Sequence, residues 1–505
     1  MNNRQIFNVL PDAQVTGQLR KSISLLTDDS RKVKPGCCYI AVKGTQFDGH
    51  SAIPQAIACG AIAIVAETPC PPRVASKGIL WVQVEDSRVA RGLLMSAWYG
   101  FPGRDLVMVG VTGTNGKTTI SYLIHHILRN TWQKAGLIGT IKYDDGMQRI
   151  ESNNTTPGSA DLQRMLADMV RNGCRAAVME VSSHALEQSR TVGTDFRVGI
   201  FTNLTQDHLD YHGSMDNYYA AKKKLFTSMA ANGDSKAIAV INVDDAYGRR
   251  LADEMRPLMK VRTYGEAKDA DYRFYDCRIS LKESSYTLSY QGREYLVRIP
   301  FIGEYNISNS VAALVGAAAA GVSLRDAISC LAKAPQVPGR MELVGGDSRV
   351  QCFVDYAHTP DALENVCSTL RKLCRAGRLI VVFGCGGDRD RKKRPLMGIA
   401  AAQYADVCFV TSDNPRNENP DAIIDEIMPG IPEEKRQRIT LRAEAIRAAL
   451  DMARGGDVVL IAGKGHEDYQ IIGDKKTHFS DAEVVRQYRI NKEEEIAKAK
   501  AEQKR

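Results

Sequence analysis

The stretch Leu106-Val-Met-Val-Gly110-Val-Thr-Gly113-Thr-Asn-Gly116-Lys117-Thr118-Thr119 decides the fold. An apolar run with the look of a buried strand leads into a glycine-rich turn. A helical pattern follows from Thr118. Glycines let backbone N–H groups turn inward and cradle phosphate oxygens, and the helix N-terminus adds a favourable dipole. Lys117 is placed to reach β- and γ-phosphates, and Thr118 offers a hydroxyl to Mg²⁺. The general phosphate-loop pattern wants glycine five residues before Gly116; Val111 stands there, so the loop is a variant.

Outward from this loop the rhythm is α/β. Upstream, the strand-like runs Cys38–Val42, Ala61–Ala66 and Ile79–Val84 alternate with helix-like Ile53–Cys59 and Val89–Tyr99, a small α/β unit ending near Phe101-Pro102-Gly103. Downstream, Ala176–Glu180, Val198–Thr202 and Ala237–Asn242 extend a doubly wound, mostly parallel sheet. Tyr272–Ile299 alternates polar and apolar residues like an antiparallel appendage. A breaker cluster at Pro335–Gly339 precedes a third zone with strand signals at Cys352–Asp355, Leu379–Phe383, Val407–Thr411 and Val458–Ile461. The expected architecture is therefore α/β with three domains. A central sheet of phosphate-loop type (105–337) is flanked by a small N-terminal α/β domain (1–104) and a C-terminal Rossmann-like α/β domain (338–490). The charged tail 491–505 is expected to be a solvated helix or frayed end.

Composition narrows the class. The 505 residues suffice for several cores, and 44% hydrophobic with 25% charged residues exclude wholesale disorder. The excess of 67 Lys and Arg over 59 Asp and Glu, +8 in all, is too diffuse for a nucleic-acid binder. The 12 cysteines include no CxxC pair and suggest a reducing cytosol rather than a disulfide framework. Met1–Gln14 lacks an apolar signal region, and Tyr305–Leu324 reads as a buried Ala-rich helix, not a membrane span. A cytoplasmic protein without membrane insertion, favoured as a monomer, is expected.

Glu180 ends a strand in Met179-Glu-Val-Ser-Ser-His184, a good place for a metal ligand in an open sheet. Asn203-Leu-Thr-Gln-Asp207-His208-Leu-Asp-Tyr-His212 concentrates acids and imidazoles. Zinc is disfavoured there by the lack of a cysteine partner or HExxH. From residues alone the reading stops at a nucleotide-binding, Mg²⁺-dependent α/β protein.

The combined motifs resemble the Mur ligase family over nearly the whole chain. They are Asp28-Asp-Ser30-Arg31, Gly113-Thr114-Asn115-Gly116-Lys117-Thr118-Thr119, Asn154-Thr155-Thr156, Glu180–His184, Asn203–Gly213, Ala220–Phe226, Gly339–Glu342, Val354–Glu364, Gly384–Asp390, Asp413–Arg416 and Ala462–Gln470. The resemblance implies ATP and Mg²⁺ as cofactors, and catalytic roles for Lys117, Lys222, His208 and Glu180. It implies metal positions at Thr118, Glu180, His208 and Lys222, the last as a carbamate. Lys223 and Lys224 leave that register ambiguous. Gly113 to Thr119, Asn306, Arg340 and Asp355 correspond to ATP contacts. Ser30, Thr45, Gln46, Asn154, Thr155, Thr156, Ser182, Gln188 and Arg190 correspond to contacts with UDP-N-acetylmuramoyl-L-alanyl-D-glutamate.

Arg389, Asp413, Asn414, Pro415, Arg416, Gly463 and Glu467 correspond to contacts with meso-diaminopimelate. That amino acid differs from lysine by a distal carboxylate, which an arginine fork reads bidentately. The implied reaction forms an amide at the D-Glu γ-carboxylate through an acyl phosphate, in peptidoglycan precursor synthesis. A lysine-adding or folylpolyglutamate-type ligase and a non-catalytic nucleotide binder remain as alternatives. Gly384-Cys-Gly386-Gly387 departs from GxGxxG at Arg389, which disfavours NAD.

Overall fold

The computed structural model describes residues 5–19, 21–44, 47–75, 78–345 and 349–502. Thr45 and Gln46 lie outside the described residues.

The N-terminal five-stranded sheet runs Gln14–Thr16, Leu80–Gln83, Ala63–Ala66, Cys38–Ile40, Leu26–Thr27. Only its first strand is antiparallel. The eleven-stranded sheet has a parallel centre ordered Lys260–Gly265, Ile238–Asn242, Phe196–Phe201, Val107–Thr112, Ala176–Glu180, Ala135–Ile138. The hairpin Lys142–Asp144 and Arg149–Glu151 extends one edge. Tyr272–Ile279, Ser284–Tyr290 and Arg293–Ile299 extend the other. A six-stranded sheet follows: Glu342–Leu343, Gln351–Asp355, Val458–Ala462, Leu379–Phe383, Val407–Val410, Arg436–Arg438, parallel apart from its first strand. A separate hairpin pairs Tyr469–Ile472 with Lys475–His478.

The parallel strands are covered on both faces, which is why they read as unbroken apolar runs. Every residue of Leu379–Phe383 and of Val458–Ala462 is buried. Helix starts are written in the sequence as side-chain caps. Asp86 accepts from Arg88 and Val89, Ser214 from Asn217, and Thr359 from Ala362 ahead of Pro360. The Ala-rich stretch forms the helix Glu304–Ala320, and the charged tail continues the helix Asp481–Glu502. Among the described residues no helix is long and apolar enough to cross a membrane.

Two compact units result. One holds the described residues up to Tyr275 with Leu288–Tyr295 and Ser308–Leu331. The other holds Asp276–Thr287, Leu296–Ile307 and the described residues from Ala332 onward. Inside the first unit, the helix Ser87–Trp98 meets the turn after Ser189 through glycines. A side chain on Gly92 would lie 2.7 Å from the Val192 carbonyl, and one on Gly193 (φ +82) would lie 2.7 Å from the Gly92 carbonyl. Ser96 Oγ donates to the Gly193 carbonyl at 2.8 Å across the same seam.

Candidate active site

In the first unit, Val107–Thr112 lies between Phe196–Phe201 and Ala176–Glu180, in register with Phe201 opposite Thr112 and Glu180 opposite Val111. The carboxyl ends of all three strands therefore deliver side chains to the Gly113–Gly116 turn, where open α/β sheets bind ligands. The turn has no room for side chains. A Cβ on Gly113 (φ +148) would sit 1.8 Å from Thr202 Oγ1, and one on Gly116 (φ +87) 2.4 Å from Asn309 Oδ1. The next strand's extension holds the turn. Thr114 N donates to the Asn203 carbonyl (2.9 Å), Asn115 N to Asn203 Oδ1 (2.9 Å), and Thr202 Oγ1 to the Asn115 carbonyl (2.6 Å).

Lys117 folds back over the turn and donates to the Gly113 and Thr114 carbonyls at 2.9 and 2.8 Å. Thr118 Oγ1 donates to Glu180 Oε2 at 2.9 Å. Glu180 is fully buried and also accepts from Thr140 N (2.8 Å) and Thr140 Oγ1 (3.0 Å). Thr140 was not singled out from sequence, although it stands just past the strand Ala135–Ile138.

The helix Met215–Ala231 sorts its three consecutive lysines. Lys222 is 1% exposed, while Lys223 and Lys224 pair with Glu254 (2.8 Å) and Glu187 (2.9 Å). Lys222 Nζ donates to the Gly113 carbonyl at 2.7 Å and lies 4.4 Å from the centre of the Tyr218 ring. Burial, and secondly the charge of Lys117, hold its ammonium well below the ordinary lysine range; Asp207 opposes them. The neutral amine so favoured is the form that adds to CO₂.

His208 adopts a left-handed backbone (φ +52) at the start of Leu209–His212, with its ring 6.2 Å from Tyr218 and 4.9 Å from His184. His212 stacks on Tyr218 at 4.9 Å and hydrogen-bonds Ser183 Oγ at 3.0 Å.

A connected chain of polar groups runs beside this centre. Thr156 Oγ1 donates to the Glu180 carbonyl (2.8 Å) and accepts from Ser182 N (3.1 Å). Arg190 donates to the Thr156 carbonyl (2.9 Å) and to Gln188 Oε1 (2.7 Å). Thr155 meets Thr140 at 3.0 Å, and Asn154 N donates to Tyr143 at 3.1 Å. Ser30 opens a short 3-10 turn capped by Asp29.

The second unit assembles the remaining residues. Asp355, at the end of Gln351–Asp355, accepts from Met341 N (2.6 Å) and Ala357 N (2.8 Å). Burial pushes its carboxyl up against the opposing charge of Arg340. The Arg340 guanidinium lies 5.0 Å from the Tyr356 ring centre. Asn306 is buried and donates to the Ile302 carbonyl at 2.9 Å.

Asp413–Arg416 meets the turn after Val458–Ala462. Asn414 Nδ2 donates to Glu467 Oε2 at 2.9 Å, and a Cβ on Gly463 (φ +116) would fall 2.7 Å from Asp413 Oδ2. Pro415 is buried between Asn414 and Arg416. Arg416 donates to the Gly387 carbonyl at 2.8 Å. It flanks Gly386 together with Arg389, which is itself exposed and donates to the Asp388 carbonyl.

Two supports here went unread in the sequence. Lys464, fully buried inside the Ala462–Gln470 motif, donates to Asn414 Oδ1 and Glu467 Oε2, both at 3.1 Å. Arg442 is fully buried, clasps Asp481 with two 2.7 Å bonds and donates to the Ala462 carbonyl at 2.9 Å.

Among the described residues no group of three or more His, Cys, Asp and Glu forms a metal cage. Thr118 and Glu180 are oxygen donors of the kind Mg²⁺ takes, with further ligands from substrate phosphates.

The chain belongs to the Mur ligase family, whose domain descriptions match it one after another along its length. The Mur ligase middle domain matches residues 111–317, the Mur ligase glutamate ligase domain 339–465, and the Mur ligase family catalytic domain 22–99. UDP-N-acetylmuramoyl-L-alanyl-D-glutamate–2,6-diaminopimelate ligase of Geobacter metallireducens is 43% identical over 96% of this chain and 98% of its own. The protein of the same name from Aquifex aeolicus is 44% identical over 92% and 94%. A solved structure of a ligase of that name superposes with TM-score 0.70 at 35% identity, covering 97% of this chain and 98% of that one.

Proposed function

We propose that this chain joins meso-2,6-diaminopimelate to the D-Glu γ-carboxylate of UDP-N-acetylmuramoyl-L-alanyl-D-glutamate. The reaction consumes ATP and belongs to cytoplasmic synthesis of peptidoglycan precursors. The observation that carries the choice of amino acid is that Asn414 touches both Glu467 and Arg416: its Nδ2 donates to Glu467 at 2.9 Å and its carbonyl lies 3.5 Å from the Arg416 guanidinium. The three come from two segments about fifty residues apart, and they offer an arginine fork for a carboxylate and a carboxylate for an ammonium. Full-length similarity above 40% to ligases so named supports the same substrates. The division into 1–104, 105–337, 338–490 and a tail is part of this reading.

The chemistry starts as a meeting of anions. One γ-carboxylate oxygen of D-Glu attacks the γ-phosphorus of ATP, the bond to ADP breaks, and an acyl phosphate remains. Lys117 sits 2.8–2.9 Å from the turn's own carbonyls, poised to turn its charge onto the transferred phosphoryl group. Thr118, Glu180, His208 and Lys222 would hold Mg²⁺. Bound there, the metal supplies positive charge that screens carboxylate from phosphate.

The neutral Lys222 amine adds to the carbon of CO₂ and releases one proton, becoming a carbamate. A buried neutral amine thus becomes an oxygen-bearing anion next to the Gly113 carbonyl. Thr155, Thr156, Ser182, Gln188 and Arg190 orient the muramoyl-peptide. Asp413, Asn414, Arg416 and Glu467 orient the incoming amino acid. Its neutral amine attacks the acyl carbon, phosphate leaves with the C–O bond pair, and the new amide nitrogen loses a proton.

The test is phosphate release from ATP with the muramoyl-dipeptide, Mg²⁺ and bicarbonate, comparing meso-diaminopimelate with L-lysine, with product mass as a second readout. Diaminopimelate-dependent turnover supports the reading. Preference for lysine would replace the amino acid but keep the ligase, and silence with both would remove the substrate assignment.

A further inference from the structure

We infer that Lys464 determines which amino-acid terminus the second unit accepts, acting as a positioning residue rather than a substrate contact. The inference rests on the reading given under Proposed function.

Lys464 is fully buried and its ammonium is committed to protein groups: Asn414 Oδ1 and Glu467 Oε2 at 3.1 Å, with Asp413 Oδ1 at 4.0 Å. A lysine so placed does two things. First, it orients the amide. Asn414 Oδ1 accepts from Lys464 and from Ile471 N (3.0 Å), so Asn414 Nδ2 is the end left to face Glu467 Oε2 at 2.9 Å. Without the Lys464 donor, Asn414 Oδ1 keeps only the Ile471 N–H. Glu467 Oε2 loses one of its donors too, leaving its carboxylate to the Asn414 amide and to the Tyr469 hydroxyl beside it.

Second, Lys464 sets the formal charge. Asp413 and Glu467 bring two negative charges; Lys464, Arg416 and the exposed Arg389, which flanks Gly386 beside Arg416, bring three positive ones. Arg416 is tied to the Gly387 carbonyl at 2.8 Å and to the Asn414 carbonyl at 3.5 Å. The cluster carries one net positive charge and favours a terminus whose ammonium is accompanied by a carboxylate, as at the distal end of diaminopimelate, over a bare ammonium. Removing Lys464 leaves the cluster neutral. A neutral cluster no longer disfavours a terminus carrying an ammonium alone, as the side chain of L-lysine does. Lys464 therefore works by negative discrimination: its cation lowers the site's attraction for a bare ammonium while leaving the zwitterion paired.

The experiment measures kcat/KM for meso-diaminopimelate and for L-lysine in the full-length wild type, Lys464→Met and Lys464→Arg, with L-lysine also read as a competitive inhibitor. Lys464→Met is expected to move the diaminopimelate-to-lysine ratio about tenfold or more towards lysine, the effect of losing charge-assisted bonds. KM for ATP should stay within about twofold, because only the amino-acid cluster changes. Lys464→Arg keeps the charge and is expected to restore the ratio towards that of wild type. A role in folding alone would lower activity with both amino acids equally, so an unchanged ratio in Lys464→Met overturns the inference. Should Lys464→Met not fold, Lys464→Gln carries the same change of charge; failure of both to fold overturns it as well. A wild type without diaminopimelate turnover would instead bring down the reading of the function beneath it.

Discussion

Asp481→Asn tests how the amino-acid side of the protein is supported. Arg442 and Asp481 are both fully buried and joined by two 2.7 Å bonds, so the substitution leaves a guanidinium uncompensated in the interior. Removing one partner of a buried pair costs about 3–5 kcal/mol. At about 2–4 °C per kcal/mol for a cooperative unit of 150–250 residues, the melting temperature of the second unit should fall by about 6–20 °C. Differential scanning calorimetry of the full-length protein measures this. Arg442 also donates to the Ala462 carbonyl, one residue before Gly463, so KM for diaminopimelate should rise while KM for ATP holds. The double variant Arg442→Met/Asp481→Leu, which removes both charges, should recover most of the lost stability. A drop below about 2 °C in Asp481→Asn would refute the reasoning, because that is under 1 kcal/mol for a unit this size. So would a double variant less stable than the single one.

Other outcomes follow from the same geometry. Lys222→Met should lower kcat by about a hundredfold or more, the scale of removing one group that stabilises transition-state charge. Wild-type activity should rise with bicarbonate while that of Lys222→Met does not. Gly113→Ala should abolish ATP binding as read by nucleotide titration, since the added carbon would lie 1.8 Å from Thr202 Oγ1. Arg416→Lys should raise KM for diaminopimelate by about tenfold to a hundredfold, the worth of a lost charged fork, in steady-state kinetics.

Glu418 is held down to about 2, first by its bonds to Arg394 and then by the Asp388 N–H. A carboxyl lowered in the folded state stabilises it above its ordinary value of 4.5 and loses that contribution as pH falls towards 2. The melting-temperature gap between wild type and Glu418→Gln should therefore be full at neutral pH and close through that window.

Much of this was legible in the chain. Runs such as Leu379–Phe383 and Val458–Ile461 can only be strands covered on two faces, and the turn at Gly113–Gly116 announced its own chemistry. The run Lys222-Lys223-Lys224 does not by itself say which lysine turns inward, yet the helical face does. Tyr218, Lys222, Leu225 and Met229 fall on one helical face, and all four are buried. Lys464 stands in a motif dominated by glycines and charges, and sequence does not show which cation turns inward. Arg442 and Asp481 lie 39 residues apart, and only the fold makes them neighbours. The hairpins Lys142–Glu151 and Tyr469–His478 are short and half-exposed, with too weak an alternation to be read.

The glycine seam between Ser87–Trp98 and Val192–Gly193 has a consequence for substrate length. With each glycine against the other segment's backbone at distances no side chain would tolerate, the helix Ser87–Trp98 beside the N-terminal sheet is seated directly on the turn at Val192–Gly193. On the proposed reading, the nucleotide end and the reacting carboxylate of the muramoyl-peptide span the stretch from the N-terminal sheet to the phosphate turn across that seam. A precursor one amino acid too short or too long would then be gripped at one end with its carboxylate out of reach of the phosphorus. The order in which residues are added to the growing peptide would thus be enforced by a measurement of distance.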